Sequence, residues 1–87
     1  MQKVKTVIVD DHILIREGLK KLLGSQQEFE IVGEYNLAAS AIDYIQDNEV
    51  DLLILDINLP DKSGIDVLNH LKEIKSGLKI LVLSAYP

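Results

Sequence analysis

The sequence predicts an α/β fold: a doubly wound parallel sheet with helices on both faces. Short apolar runs that do not alternate with polar residues, such as Leu52 to Leu55, describe strands buried on both sides. Helical patterns of about ten residues separate these runs, which argues for βαβ units with right-handed crossovers. Each of three runs also ends on oxygen-bearing side chains. Val7, Ile8 and Val9 lead into Asp10 and Asp11, Leu52 to Leu55 into Asp56, and Ile80 to Leu83 into Ser84. In a parallel sheet these groups share one rim, the edge at which α/β folds keep their sites.

Residues 4–9 make the first strand, and Asp11 is the expected N-cap of a helix with Ile15, Leu19, Leu22 and Leu23 on one face. That stripe is read as core, and Gly24 is the expected stop. Residues 30–35 form a weaker strand. Residues 38 to about 46 form a second helix burying Ala38, Ala41, Ile42 and Ile45, ended by Asn48. The central strand then delivers Asp56 to the rim. Asn58, Leu59 and Pro60 break it, because proline cannot donate to a ladder, and Gly64 is read as permitting a turn. Residues 65–75 form a third helix with Val67, Leu68, Leu71 and Ile74 inward, closed by Ser76 and Gly77. Residues 79–83 are the fourth strand.

A chain of 87 residues supports one domain, burying roughly 60% of its unfolded surface or slightly more. With 47% hydrophobic and 26% charged residues it has the composition of a globular chain, not a disordered one. The formal charge of -5, without a Lys/Arg cluster beyond short pairs, argues against direct nucleic-acid binding. There is no cysteine, so disulfides and thiolate metal sites are excluded. The start, Met-Gln-Lys-Val, carries no apolar signal region. A cytoplasmic protein with no membrane association is expected.

Asp10, Asp11 and Asp56 on one rim are like charges that raise one another's pKa unless a cation sits between them. With only oxygen ligands on offer, and the loop carbonyl of Asn58 able to add one, the pattern suits Mg²⁺ with several retained waters. His12 is close in sequence but is read as a helix-start residue without a chemical role. A carboxylate beside such an ion can attack activated phosphorus to give an aspartyl phosphate, and Ser84 offers a hydroxyl at the same rim. A hydrolase would need a base to activate water, and no candidate stands out apart from the acid pair. Asp56 alone could simply end a strand, Asp11 could simply cap, and Ser84 could simply turn. The combination favours phosphoryl acceptance.

The segments VIVDDHILIREGLKKLL, LLILDINLPDKSG and ILVLSA together resemble the receiver domain of two-component response regulators. The first segment and EIVGEYNLAASAIDYI are most similar to the NarL/FixJ group of transcriptional regulators. The resemblance implies a flavodoxin-like sheet of order 2-1-3-4 within a family that has a fifth strand. It implies Asp56 as phosphoacceptor, Asp11 as direct Mg²⁺ ligand, Asp10 holding the metal largely through water, and the Asn58 carbonyl as a further ligand. Ser84 would be the switch hydroxyl, Ala85 the small residue that leaves the site open, and Pro60 and Gly64 would shape the loop. The phosphodonor would be a phosphohistidine on a sensor histidine kinase. The chain would be a phosphoacceptor that assists its own phosphorylation and dephosphorylation, and not otherwise an enzyme.

Against the family pattern, residues 1–87 are expected to be a receiver domain cut short after its fourth strand. The fifth strand with its lysine and aromatic switch residue, the last two helices and a DNA-binding output domain are all expected to be missing. An uncovered fourth strand then predicts a homodimer or element-swapped oligomer, and phosphorylation only poorly coupled to shape. The competing class is a phosphorylation-independent interaction or dimerisation module. A nucleotide-binding Rossmann unit lacks support because the Asp10-Asp11-His12-Ile13 loop has no glycine-rich turn. A phosphatase of the aspartate-nucleophile class would need an Asp-x-Asp pair where these acids are adjacent.

Overall fold

The computed structural model describes residues 3–83. The elements run β1 (Val4–Val9), α1 (Ile13–Gly24), β2 (Phe29–Tyr35), α2 (Ala38–Asp47), β3 (Leu52–Asp56), α3 (Gly64–Ile74) and β4 (Lys79–Leu83). All strand pairs are parallel, and the sheet has the order β2-β1-β3-β4. This is the expected doubly wound arrangement. The strand bounds fall close to those read from the sequence, because β1, β3 and β4 centre on apolar runs closed by polar or turn-forming residues.

The core lies on one face of the sheet. Val7, Val9, Leu53 and Leu55 meet Ala38, Ala41, Ile42 and Ile45 of α2 and Val67 and Leu71 of α3. Strand alternation turns Thr6, Ile8 and Ile54, all buried, to the opposite face, where the right-handed crossover from β1 to β2 carries α1. The register pairs Leu55 with Val82 and Asp56 with Leu83, so β3 is flanked by β1 and β4 up to its terminal carboxylate. The Ile57 N–H donates to the Leu83 carbonyl at 3.1 Å and carries the ladder one step further.

Helix α1 departs from expectation. None of its residues is buried, and Leu22 is 62% exposed, so the apolar stripe is not core among the described residues. Polar contacts also hold the helix. The Arg16 guanidinium donates to the Asp10 carbonyl at 2.7 Å, and the Lys20 ammonium lies 2.8 Å from Glu34 on β2. The N-cap position is His12, not Asp11, and no side chain caps there. Asp11 faces the rim instead, where its carboxylate lies 3.2 Å from the His12 ring.

Helix α3 begins at Gly64, with Ser63 as its cap: the Ser63 hydroxyl oxygen accepts from the Ile65 N–H at 3.2 Å. Val67 and Leu71 are buried as expected, whereas Leu68 is only half-buried and Ile74 stands 39% exposed at the C-terminal end. Ser84, Ala85, Tyr86 and Pro87 lie outside the described residues, as do Met1 and Gln2. Among the described residues, no helix is long and apolar enough to cross a membrane.

Truncation of the two apolar faces separates core from surface. Leu71→Ala should cost about 2–5 kcal/mol in urea unfolding, the range for a fully buried leucine. Leu22→Ala should stay within about 0.5 kcal/mol of the parent. The reverse ranking would mean that the α1 stripe is packed after all.

Candidate functional site

The ends of β1 and β3 bring three carboxylates to one place. Asp10 follows β1 directly, its N–H donating to the Tyr35 carbonyl of β2 at 3.0 Å, while Asp56 is the last residue of β3. Both are buried, and Asp11 beside them is exposed. One ligand atom each from Asp10, Asp11, His12 and Asp56 falls within 4.8 Å of all the others. The expected juxtaposition of Asp10, Asp11 and Asp56 is therefore present, and it includes a fourth residue.

His12 stands among the three acids. Its Nδ1 lies 2.9 Å from Asp10 Oδ1, 3.2 Å from Asp11 Oδ1 and 3.6 Å from Asp56 Oδ2. Its backbone N–H also donates to Asp10 Oδ1 at 2.7 Å. The Asp10 hydrogen bond, and next the Asp11 charge, push the imidazole pKa up. Asp56 moves up as well, chiefly because burial disfavours its charged form, with the Asp10 and Asp11 charges adding to the effect. The Asn58 N–H, donating to Asp56 Oδ1 at 3.1 Å, opposes that rise. Asp56 Oδ2 has no hydrogen-bond partner although it is buried.

The loop from β3 to α3 is held by close backbone approach. A Cβ at Gly64 would stand 2.6 Å from Ile57 Cα and 3.1 Å from the Asp56 carbonyl oxygen. Glycine is required there for proximity and not for unusual dihedrals, since no described glycine has positive φ. The Gly64 N–H donates to the Ile57 carbonyl at 3.0 Å, and Asn58 bridges Ser63. Asp61, at the loop's tip, reaches the start of α2. Its two oxygens accept from the Ala38 N–H at 2.9 Å and the Ala39 N–H at 3.0 Å. The α2 N-cap position is Leu37, which has no capping oxygen, so Asp61 satisfies the orphan amides from another element.

Asn58 contributes its amide to the Asp56 carboxylate and is itself exposed. Ser84 lies outside the described residues. His12, read as a helix-start residue, does stand at the N-cap of α1 and also contacts the acids. Asp61 went unread in the sequence, because it acts across a sequence separation that no local pattern reveals.

Comparison with known proteins assigns the arrangement. The family model for the response regulator receiver domain matches residues 6–87. The chain belongs to that family. The receiver is 34% identical over 84 residues to the transcriptional regulatory protein DegU of Brevibacillus brevis, covering 97% of this chain and 36% of DegU. It is 37% identical over 83 residues to the DNA-binding transcriptional activator DevR/DosR of Mycobacterium tuberculosis, covering 95% and 38%. Among solved structures, the signal receiver domain of the response regulator NarL from Mycobacterium tuberculosis superposes with a TM-score of 0.92 at 30% identity, over 100% of this chain and 70% of that one. The chain thus spans little more than a third of the length of these curated relatives. Membership makes it a receiver domain of the response regulator type.

Two substitutions probe the receiver's loop. Gly64→Ala should destabilise by about 1–3 kcal/mol, since the added methyl meets backbone and not a yielding side chain; an unchanged urea midpoint would contradict the close approach. For Asp61, the two amides hold the carboxyl below the usual aspartate value. Its stabilising effect is therefore complete above that value and lost as pH falls through the lowered one. Asp61→Asn should lower the melting temperature at neutral pH, and the gap to the parent should close as the pH is brought below the ordinary aspartate range. A gap that persists in acid would mean that charge is not what the clamp uses.

Proposed function

We propose that the receiver accepts a phosphoryl group on Asp56, from a phosphohistidine of a sensor histidine kinase, and that the modified state regulates a transcriptional output and self-association. The observation that supports this most is the state of Asp56: its Oδ2 is buried, without a hydrogen-bond partner, at the tip of a strand held on both sides. Oδ1 is occupied by the Asn58 N–H, which orients the carboxylate and leaves Oδ2 as the reacting atom. Oδ2 attacks phosphorus, the bond from phosphorus to the donor nitrogen breaks, and the departing imidazole keeps that electron pair and takes up a proton. Burial strips water from the nucleophile, and a carboxylate with raised proton affinity is the stronger nucleophile once ionised.

The donor set fits Mg²⁺: two further carboxylates face Asp56, and all three are hard oxygen donors. Asp10, Asp11, Asp56 and the Asn58 carbonyl would hold the ion, which supplies charge neutralisation for the phosphoryl oxygens when bound. Asp10 is restrained for this role by the His12 amide on its Oδ1. Ser84 is the proposed switch hydroxyl, by resemblance alone. The reading places the receiver in the cytoplasm with its kinase, and it assigns any DNA contact to a separate output module.

Intact mass after incubation with acetyl phosphate tests the proposal. A phosphoryl adduct should form with Mg²⁺, be lost with chelator, be absent in Asp56→Asn, and be discharged by hydroxylamine as an acyl phosphate is. A folded chain that forms no adduct would refute phosphoryl acceptance and leave the interaction-module alternative.

A further inference from the structure

The ladder of β1 ends at Val9, which pairs with Tyr35 on one side and Leu55 on the other. Beyond that point the chain carries Asp10 and Asp11 on the rim, outside the strand itself. The Asp10 N–H still reaches the Tyr35 carbonyl at 3.0 Å, but the Asp10 carbonyl is taken by a side chain, Arg16 Nη1, at 2.7 Å. That carbonyl belongs to the peptide unit joining Asp10 to Asp11. A peptide unit is planar, so a bond that holds its oxygen restrains the torsions on either side. The directions in which both carboxylates leave the backbone are restrained with them.

Arg16 is itself held. Its Nε lies 3.6 Å from Glu34 Oε1 on β2, and the other Glu34 oxygen lies 2.8 Å from the Lys20 ammonium one turn further along α1. The Arg16 side chain is only 16% exposed, and Nε is buried without a hydrogen-bond partner. A guanidinium so placed gives up hydration that an apolar side chain would not, and the unpaired N–H adds to that cost. Tying α1 to β2 does not require it, because Lys20 already joins the helix to Glu34. What Arg16 alone supplies among these contacts is the bond to the Asp10 carbonyl. Arginine suits the task, since its planar fork serves the carbonyl and the Glu34 carboxylate at once, whereas a lysine ammonium is a point charge.

We propose that Arg16 is a positioning residue for the acid pair, fixing the peptide between Asp10 and Asp11 and, through it, the two carboxylates that face Asp56. The inference rests on the reading of Asp10, Asp11 and Asp56 as the cation-holding set, and it extends that reading to a residue of α1 outside the set.

Amide hydrogen exchange of the metal-free chain tests the geometry. The Asp10 and His12 amides donate to the Tyr35 carbonyl and to Asp10 Oδ1, whereas Val7 and Leu53 lie in fully buried strand positions. In Arg16→Ala the first pair should gain about tenfold more in exchange rate than the second. Equal acceleration of both pairs is a general loss of stability and overturns the proposal, as does no change in either. Calorimetric titration with Mg²⁺ alone gives a second readout. Arg16→Ala should weaken binding by about tenfold or more, the effect of removing a group that orients a ligand. Arg16→Lys, which keeps the charge without the fork, should leave most of that loss in place; full recovery would mean that charge suffices and overturns the proposal. Leu71→Ala, destabilised from the core, is the control and should bind Mg²⁺ as the parent does under conditions where it stays folded. An equal loss in that variant also overturns the proposal. A parent that forms the Mg²⁺-dependent phosphoryl adduct, with Mg²⁺ affinity unchanged in Arg16→Ala, fails this inference alone. A parent that binds no Mg²⁺ and forms no adduct fails the underlying reading as well.

Discussion

Like charges at the ends of adjacent parallel strands are the constraint on which the rest of this structure depends. Parallel pairing aligns β1 and β3 so that Asp10 and Asp56 end side by side, both withdrawn from water. Repulsion and desolvation each disfavour that placement. The surrounding fold supplies partial relief: one amide from Asn58, one from His12, and the His12 ring. The relief stops short of one oxygen. Among the described residues, two buried side-chain atoms lack a hydrogen-bond partner, Arg16 Nε and Asp56 Oδ2, and the second of them faces the rim.

The sheet that imposes this placement was legible in the sequence because β1, β3 and β4 are closed apolar runs, and these with the weaker β2 between helices admit few topologies. Asp10, Asp11 and Asp56 were legible for the same reason, since a run that ends on acid specifies where the acid is delivered. The helix faces were read less well. An amphipathic stripe states which side of a helix is apolar, not whether another element lies opposite, so the stripe of α1 could not announce that Leu22 would be exposed. Arg16 and Lys20 also tether α1, charged residues whose targets at Asp10 and on β2 are set by tertiary placement.

His12 and Asp61 both act through positions and not through periodicity. His12 sits one residue beyond the acid pair, where helix-start chemistry and site chemistry demand similar residue types. Asp61 lies in a loop whose composition reads as an ordinary turn, yet it caps a helix that precedes it in the chain by way of β3. Gly64 shows a related ambiguity. Its presence signals a turn, but its reason is the Ile57 backbone against which α3 begins.

The clamp of Asp61 on α2 also turns the loop after β3 into a ruler. Loops ordinarily accept insertions because their length matters little to the elements they join. Here one end of the segment is fixed by the strand at Asp56, its tip by two amides of another helix, and its far end by contact at Gly64. One residue more or fewer between Asp56 and Asp61 would release α2 or drag the carboxylate off the rim. Length, and not merely composition, is therefore part of what this stretch encodes.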